Sequence, residues 1–304
     1  MLAPAKLNLG LEILDRRPDG WHELITLLQS ITLRDRLDLT LEESPGVRLT
    51  ARSSGLGRVD LGPAEMNLAV RAAERLRIPR GQPRGLHIEL HKRIPVGAGL
   101  GGGSADAAAV LVGVDALRGL GLSRRALRAH AAALGSDVAF CLEGGTALGT
   151  GRGEILEPLP PLPSRWVVVV YPNLTVSTRD VYQAFKLGLT PLGPLRRLLK
   201  SPYSMDFRRL EHSGLRNDLE PLVLEQHATV RRVVRELGRL GSGFVRVSGS
   251  GSSVFGFAPD RALALHWAAR LAREGHWTRV VRFARRGCSV SPGARHEGPR
   301  SIRR

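Results

Sequence analysis

Between Lys6 and Leu14 apolar and polar positions alternate, with Leu7, Leu9, Leu11 and Ile13 set against Asn8, Gly10 and Glu12. A period of two predicts a strand with one buried face. Arg17-Pro18-Asp19-Gly20 reads as a turn, and Glu23 to Leu41 returns as strand-rich sequence in two pieces. Asn67 is placed to cap a helix running to Leu76, and Leu86 to Leu90 alternates again as a strand. Glycines then crowd Gly97 to Gly103 and lead into an apolar helical stretch from Ser104 to Leu117. Ser123 caps a further helix that ends near Leu134, with Gly135 beyond it. Pro158 to Pro163 is proline-rich and marks a domain boundary, giving domains over 1–158 and 164–283.

In the second half Trp166 to Val170 is a short apolar strand. Asp218 to Leu240 carries apolar positions at helical spacing, which predicts one long helix. Phe244 to Val247 and Val254 to Phe257 are strands around Ser248-Gly249-Ser250-Gly251-Ser252-Ser253. Asp260 caps a last helix ending near Gly275, and Thr278 to Phe283 closes the pattern as a strand. After Ala284 the periodicity stops, and six arginines with one glutamate predict a disordered tail over 284–304. Helices and strands mixed in this way indicate two α+β domains.

Composition narrows the picture a little. With 42% hydrophobic and 24% charged residues, the 304-residue chain is neither fibrous nor low-complexity. No run approaches the ~18 apolar residues of a membrane span. The N-terminus lacks a basic, apolar and small-residue signal layout, so a cytoplasmic location is expected. Cys141 and Cys288 are too few for a disulfide scaffold or a zinc cluster, and His91 and the other histidines show no metal spacing. The net charge of +17 fits either a polyanionic partner or substrates that carry phosphate. Only Lys6, Lys92, Lys186 and Lys200 are lysines, so a lysine beside a candidate site gains weight.

Chemistry concentrates in Pro95-Val96-Gly97-Ala98-Gly99-Leu100-Gly101-Gly102-Gly103-Ser104-Ala105-Asp106. Glycines let backbone N–H groups line one concavity, and a helix starting at once adds free N–H groups and the positive end of its dipole. The product is an anion site for a di- or triphosphate. It is neither a Walker A loop, which ends in Gly-Lys-Ser/Thr, nor a Rossmann fingerprint. Asp106 sets up a tension with bound phosphate, which a place in the first helical turn or a Mg²⁺ ion would each relieve. Asp137 lies among apolar neighbours and needs a partner if buried. Paired with Lys6 it would stay ionised as a general base; capping the next helix, with Lys6 reaching out to solvent, is equally compatible with the spacing. Ser248 to Ser253 is a hairpin turn or a second ligand loop. Trp21-His22 forms either a stacking platform or a strand-edge packing pair, and Tyr182 is by default a packed helix residue.

In order along the chain, these segments resemble the GHMP kinase superfamily. The match rests on Ala3-Pro4-Ala5-Lys6-Leu7-Asn8-Leu9, Arg17-Pro18-Asp19-Gly20-Trp21-His22-Glu23-Leu24, Lys92-Arg93-Ile94-Pro95 and the glycine loop. Leu134-Gly135-Ser136-Asp137-Val138, Gly151-Arg152-Gly153-Glu154, Asn217-Asp218-Leu219-Glu220 and Ser248-Gly249-Ser250-Gly251 extend it, so that it covers Ala3 to Phe283. The resemblance implies a two-domain α+β fold. Its N-terminal domain is of the kind found as the second domain of a ribosomal protein, and its C-terminal domain is ferredoxin-like. The first and second segments are most similar to the branch that uses ATP to phosphorylate the 2-hydroxyl of a cytidyl-diphospho-methylerythritol, in the non-mevalonate route to isoprenoid precursors.

From that resemblance, Lys6 and Asp137 are the expected catalytic pair and Asn8 lies beside the reacting hydroxyl. Pro95 to Ala105 form the expected ATP-phosphate loop, with Asn67 near adenine. Trp21, His22 and Tyr182 form the cytosine pocket, bordered by Thr178, Gly249, Ser250 and Gly251. ATP and Mg²⁺ are the implied cofactors, without assigned metal ligands. Two positions depart from the pattern: Trp21 stands where tyrosine is usual, and Ala105 where a second serine is common. Rival readings are a mevalonate- or homoserine-type kinase and a basic nucleic-acid-binding protein. The second is disfavoured because aromatic residues do not interleave with the basic runs.

Overall fold

The computed structural model describes residues 1–56, 60–76, 85–186, 193–198 and 213–290. The first long strand, β1 (Leu2–Arg16), is followed by β2 (His22–Glu42) and β3 (Val47–Ser53). Next come α1 (Leu68–Arg75), β4 (Gly85–Lys92), α2 (Gly102–Arg118), α3 (Arg124–Leu134) and α4 (Ser136–Glu143), then β5 (Thr146–Thr150) and β6 (Ile155–Leu159). The strands form one sheet in the order β3-β4-β2-β5-β6, with β1 also paired to β2. All its pairings are antiparallel except β3 with β4. Helix α2 has almost every side chain buried, from Ala105 to Val114, and packs on β1, β2, α1 and α4.

The second half opens with β7 (Trp166–Tyr171), α5 (Thr178–Ala184) and α6 (Pro194–Leu198). It continues as α7 (Glu220–Gln226), α8 (Ala228–Arg239), β8 (Val245–Val247), β9 (Val254–Ala258), α9 (Arg261–Arg273) and β10 (Trp277–Arg282). Its sheet runs β10-β7-β9-β8, antiparallel throughout, with α8 and α9 against it. One apolar cluster joins the halves, uniting Leu7, Leu9 and Ile25 with Val167, Val169 and Phe255.

Several sequence expectations are met by named contacts. Asn67, Ser123 and Asp260 each accept a hydrogen bond from the first turn of the helix they cap, at 2.9, 3.2 and 2.8 Å. Others are corrected. Strand β1 is buried on both faces, because Lys6, Asn8 and Glu12 are enclosed as fully as the leucines beside them. Strand β2 is a single element of 21 residues that pairs with β1, β4 and β5 along different stretches. The helix expected over 218–240 is two, because His227 adopts an extended backbone between them. The break leaves no trace in the pattern: Val223, Val230, Val233 and Leu237 all face one core cluster.

The segment after Ala284 is also more ordered than its composition suggests. Gln29 donates to the Ala284 carbonyl, Cys288 N donates to Cys141 O at 3.0 Å, and Ser289 bridges Leu2. Residues 284–290 therefore form a strap across the N-terminal half, and 291–304 lie outside the described residues. Among the described residues, no helix is long and apolar enough to cross a membrane.

Candidate active site

Strand β4 delivers the chain into the glycine loop, where Gly97, Gly99 and Gly101 take φ of 65°, 76° and 68°. These left-handed values favour glycine. No side chain caps α2 at Gly101, so the first N–H groups of a 17-residue helix are left for a ligand. The second glycine loop joins β8 to β9 as a hairpin and also closes on the first. Ser248 Oγ donates to Gly99 O at 2.9 Å and accepts from Asn8 N at 3.3 Å, while Ser253 N donates to Ala98 O at 3.1 Å. A Cβ on Gly99 would run into the carbonyl oxygens of Ser248 and Gly251, so the loops meet this closely only through glycine. The hairpin reading of 248–253 is met, and the turn packs directly on the first glycine loop.

Beneath the loops, Lys6 Nζ lies 3.2 Å from Asp137 Oδ2 and donates to Asn8 Oδ1 at 2.6 Å. Asn8 Nδ2 donates to Thr26 Oγ1 at 2.9 Å, and Thr26 donates to Gly10 O at 2.8 Å. The chain of contacts fixes the ammonium on a rigid strand. Lys6 is 5% exposed and Asp137 39%, so the carboxylate is the member open to a substrate. Asp137 lies in the first turn of α4, whose cap is Gly135, which excludes the capping alternative. Its position still suits a carboxylate, because the helix dipole is positive there.

A cavity of about 500 Å³ opens over this pair. Lys6, Asn8, Asn67, Pro95 to Gly99, Gly101 to Ser104, Asp137, Thr178, Tyr182, Gly249 and Ser250 all line it. Leu100, Ala105, Gly251, Trp21 and His22 do not. Leu100 and Ala105 turn into the core. His22 stands 5.4 Å from the Tyr182 ring and 6.2 Å from Phe185, an aromatic cluster whose Tyr182 lines the cavity. Burial, helped by Arg16, holds the His22 imidazole below its ordinary pKa, and burial raises the Tyr182 phenol. Trp21 is 58% exposed and stacks with the Arg152 guanidinium, 5.1 Å from its ring centre, rather than with His22.

Three features escape the sequence reading. Arg152 lines the cavity, although its motif carried no role. Phe185 completes the aromatic cluster. Lys92 is buried between Asp35 and Asp106 at 2.5 and 2.9 Å. The last contact resolves the tension at Asp106: it lies past the first turn of α2, and Lys92 offsets its charge. Burial alone would depress the Lys92 ammonium; the Asp106 and Asp35 carboxylates overcome that and hold it above its ordinary value. Asp106 is raised above the usual carboxylate range by burial, against the pull of Lys92. Asp38, Glu89 and His91 converge on β2 and β4, but Arg36 pairs with Asp38 and Arg52 with Glu89 in an ordinary ion-pair network.

The glycine loop at the uncapped start of α2 thus meets a second glycine loop above the Lys6–Asp137 pair. Residues 67–145 match the model of the GHMP kinases N terminal domain, and 199–276 that of the GHMP kinases C terminal. A 4-diphosphocytidyl-2-C-methyl-D-erythritol kinase of Moorella thermoacetica is 45% identical over 283 residues, 92% of this chain and 97% of that protein. One from Pelotomaculum thermopropionicum is 42% identical over 285 residues, covering 92% and 96%. A crystal structure of 4-(cytidine 5'-diphospho)-2C-methyl-D-erythritol kinase superposes with a TM-score of 0.76 at 38% identity, covering 93% of this chain and 98% of that one. A homoserine kinase from Cytophaga hutchinsonii, 21% identical with a TM-score of 0.70 over 94% of each chain, shares the fold. The chain belongs to the 4-diphosphocytidyl-2-C-methyl-D-erythritol kinase family.

Proposed function

We propose that the chain transfers the γ-phosphoryl group of ATP to the 2-hydroxyl of 4-diphosphocytidyl-2-C-methyl-D-erythritol, with Asp137 as general base. The carrying observation is the Lys6–Asp137 pair, half open to a cavity with phosphate-binding loops on one side and aromatic rings on the other. Asp137 takes the hydroxyl proton as the oxygen bonds to the γ-phosphorus, and the bond to the bridging oxygen of ADP breaks. Lys6 orients that hydroxyl and Asn8 holds Lys6. Such a transfer needs placement and electrostatics more than a covalent nucleophile. The amides of 95–105 and the start of α2 receive the phosphates, with Asn67 at the adenine end. His22, Tyr182 and Phe185 receive cytosine, bordered by Thr178, Gly249 and Ser250.

Among the described residues, the cations lining the cavity are Lys6, Lys92 and Arg152. Lys6 and Lys92 face carboxylates at close range, whereas Arg152 lies 3.6 Å from Glu154. Arg152 is therefore the side chain for the acceptor's diphosphate. The Ser104 hydroxyl, which lines the cavity beside the glycine loop, would hold Mg²⁺, and the ion would neutralise charge on the transferred group. A coupled ADP-release assay over the cytidyl alcohol, mevalonate and homoserine tests the reading. Turnover with the cytidyl alcohol far above the others is expected, and preference for either rival would overturn it.

A further inference from the structure

Lys92 ends β4 and Asp106 lies in the second turn of α2, so the glycine loop is the chain suspended between them. The Lys92 ammonium is buried, as are both carboxylates that it joins. Asp35, from the middle of β2, uses its other oxygen to accept from the amides of Arg93 and Ile94, at 2.5 and 2.9 Å. Those two residues are the entry to the loop. At its exit, a Cβ on Gly102 would meet Lys92 Nζ at 3.2 Å and the Ile94 side chain. Entry and exit are thus fastened to one ammonium, on elements that the Lys6–Asp137 pair does not use.

Resting on the kinase reading, we infer that Lys92, with Asp35 and Asp106, is a positioning device that pre-sets the loop for the phosphates of ATP. A glycine-rich loop left free would have to be ordered at every binding event, and glycine loses the most backbone freedom on ordering. A clamp settled during folding removes that loss. It acts on phosphate affinity specifically. The adenine end of the cavity and the aromatic cluster are built from other elements.

Calorimetry on the full chain with ATP, adenosine and cytidine diphosphate tests this, using Asp106→Ala and Asp106→Asn. Asp106→Ala opens one arm of the clamp and leaves the charge-balanced Lys92–Asp35 pair. It is expected to weaken ATP about tenfold, the loss of roughly one well-placed contact, with adenosine and cytidine diphosphate unchanged. Asp106→Asn keeps an acceptor for Lys92 and should stay within about twofold of the parent. Unchanged ATP affinity in Asp106→Ala, or equal losses for all three ligands, would overturn the inference. Hydrogen exchange on the unsubstituted, ligand-free chain gives a reading that no folding defect can disturb. The Arg93 and Ile94 amides should be protected by about 10³-fold or more, and rapid exchange there also overturns the clamp. Failure of the unsubstituted chain to bind cytidine diphosphate would count against the acceptor assignment alone.

Discussion

Two lysine–aspartate clusters lie beside the same glycine loop, and they differ in everything except residue type. Lys6 meets one carboxylate at 3.2 Å, and that carboxylate is 39% exposed. Lys92 meets two, at 2.5 and 2.9 Å, and both are buried. A carboxylate partly open beside a cavity can take a proton from a substrate and return it to water. One buried against an ammonium is held in an ion pair, and its worth lies in the elements it ties together. Burying a charge is costly unless it is paired, so removing one partner of the sealed set does far more harm than removing a half-exposed one. Exposure, rather than identity, separates the chemical pair from the mechanical one.

That contrast can be broken by experiment. Lys92→Met strands two buried carboxylates and should destabilise the fold by about 3–5 kcal/mol, read by denaturant unfolding. Lys6→Met should leave stability within about 1 kcal/mol while lowering kcat about 10²-fold, with little change in ATP affinity. Equal effects of the two substitutions on stability would erase the distinction. Arg152→Ala should raise KM for the cytidyl acceptor about tenfold at unchanged KM for ATP, since it removes one charge-assisted contact. The smallest effect concerns His22, whose imidazole is held below its ordinary value by burial. Its folded pKa is depressed, so the unfolded chain binds the proton more readily. The neutral imidazole's contribution is present above pH ~6.5 and fades as pH falls towards the folded value. Acceptor affinity should weaken a few-fold as pH falls through the folded value, which lies below 6.5, and His22→Gln should flatten the profile.

Local signals were legible in the sequence and long-range ones were not. Asn67, Ser123 and Asp260 announce their helices because a cap acts within three residues. Gly97 to Gly103 announce an anion loop because the conformation is local too. Lys92 gave no such sign: its partners are 57 and 14 residues away and owe their nearness to the β2–β4 register and to α2. Spacing leaves Lys6 and Asp137 open to either pair or cap, and the backbone decides by placing Gly135 at the cap. Arginine-rich composition after Ala284 concealed a strap held by main-chain hydrogen bonds, which any side chain permits. Trp21 carried the stacking expectation, yet its ring faces Arg152, and the clustered rings are those of His22, Tyr182 and Phe185.

The central claim is that Asp137, and not Asp106, handles the substrate proton. Asp137→Asn and Asp106→Asn measured side by side, for single-turnover phosphoryl transfer and for ATP affinity, test it most directly. Asp137→Asn should slow transfer about 10³-fold with ATP still bound normally, while Asp106→Asn stays close to the parent in both. Near-normal transfer by Asp137→Asn, or an equal loss in Asp106→Asn, would contradict it.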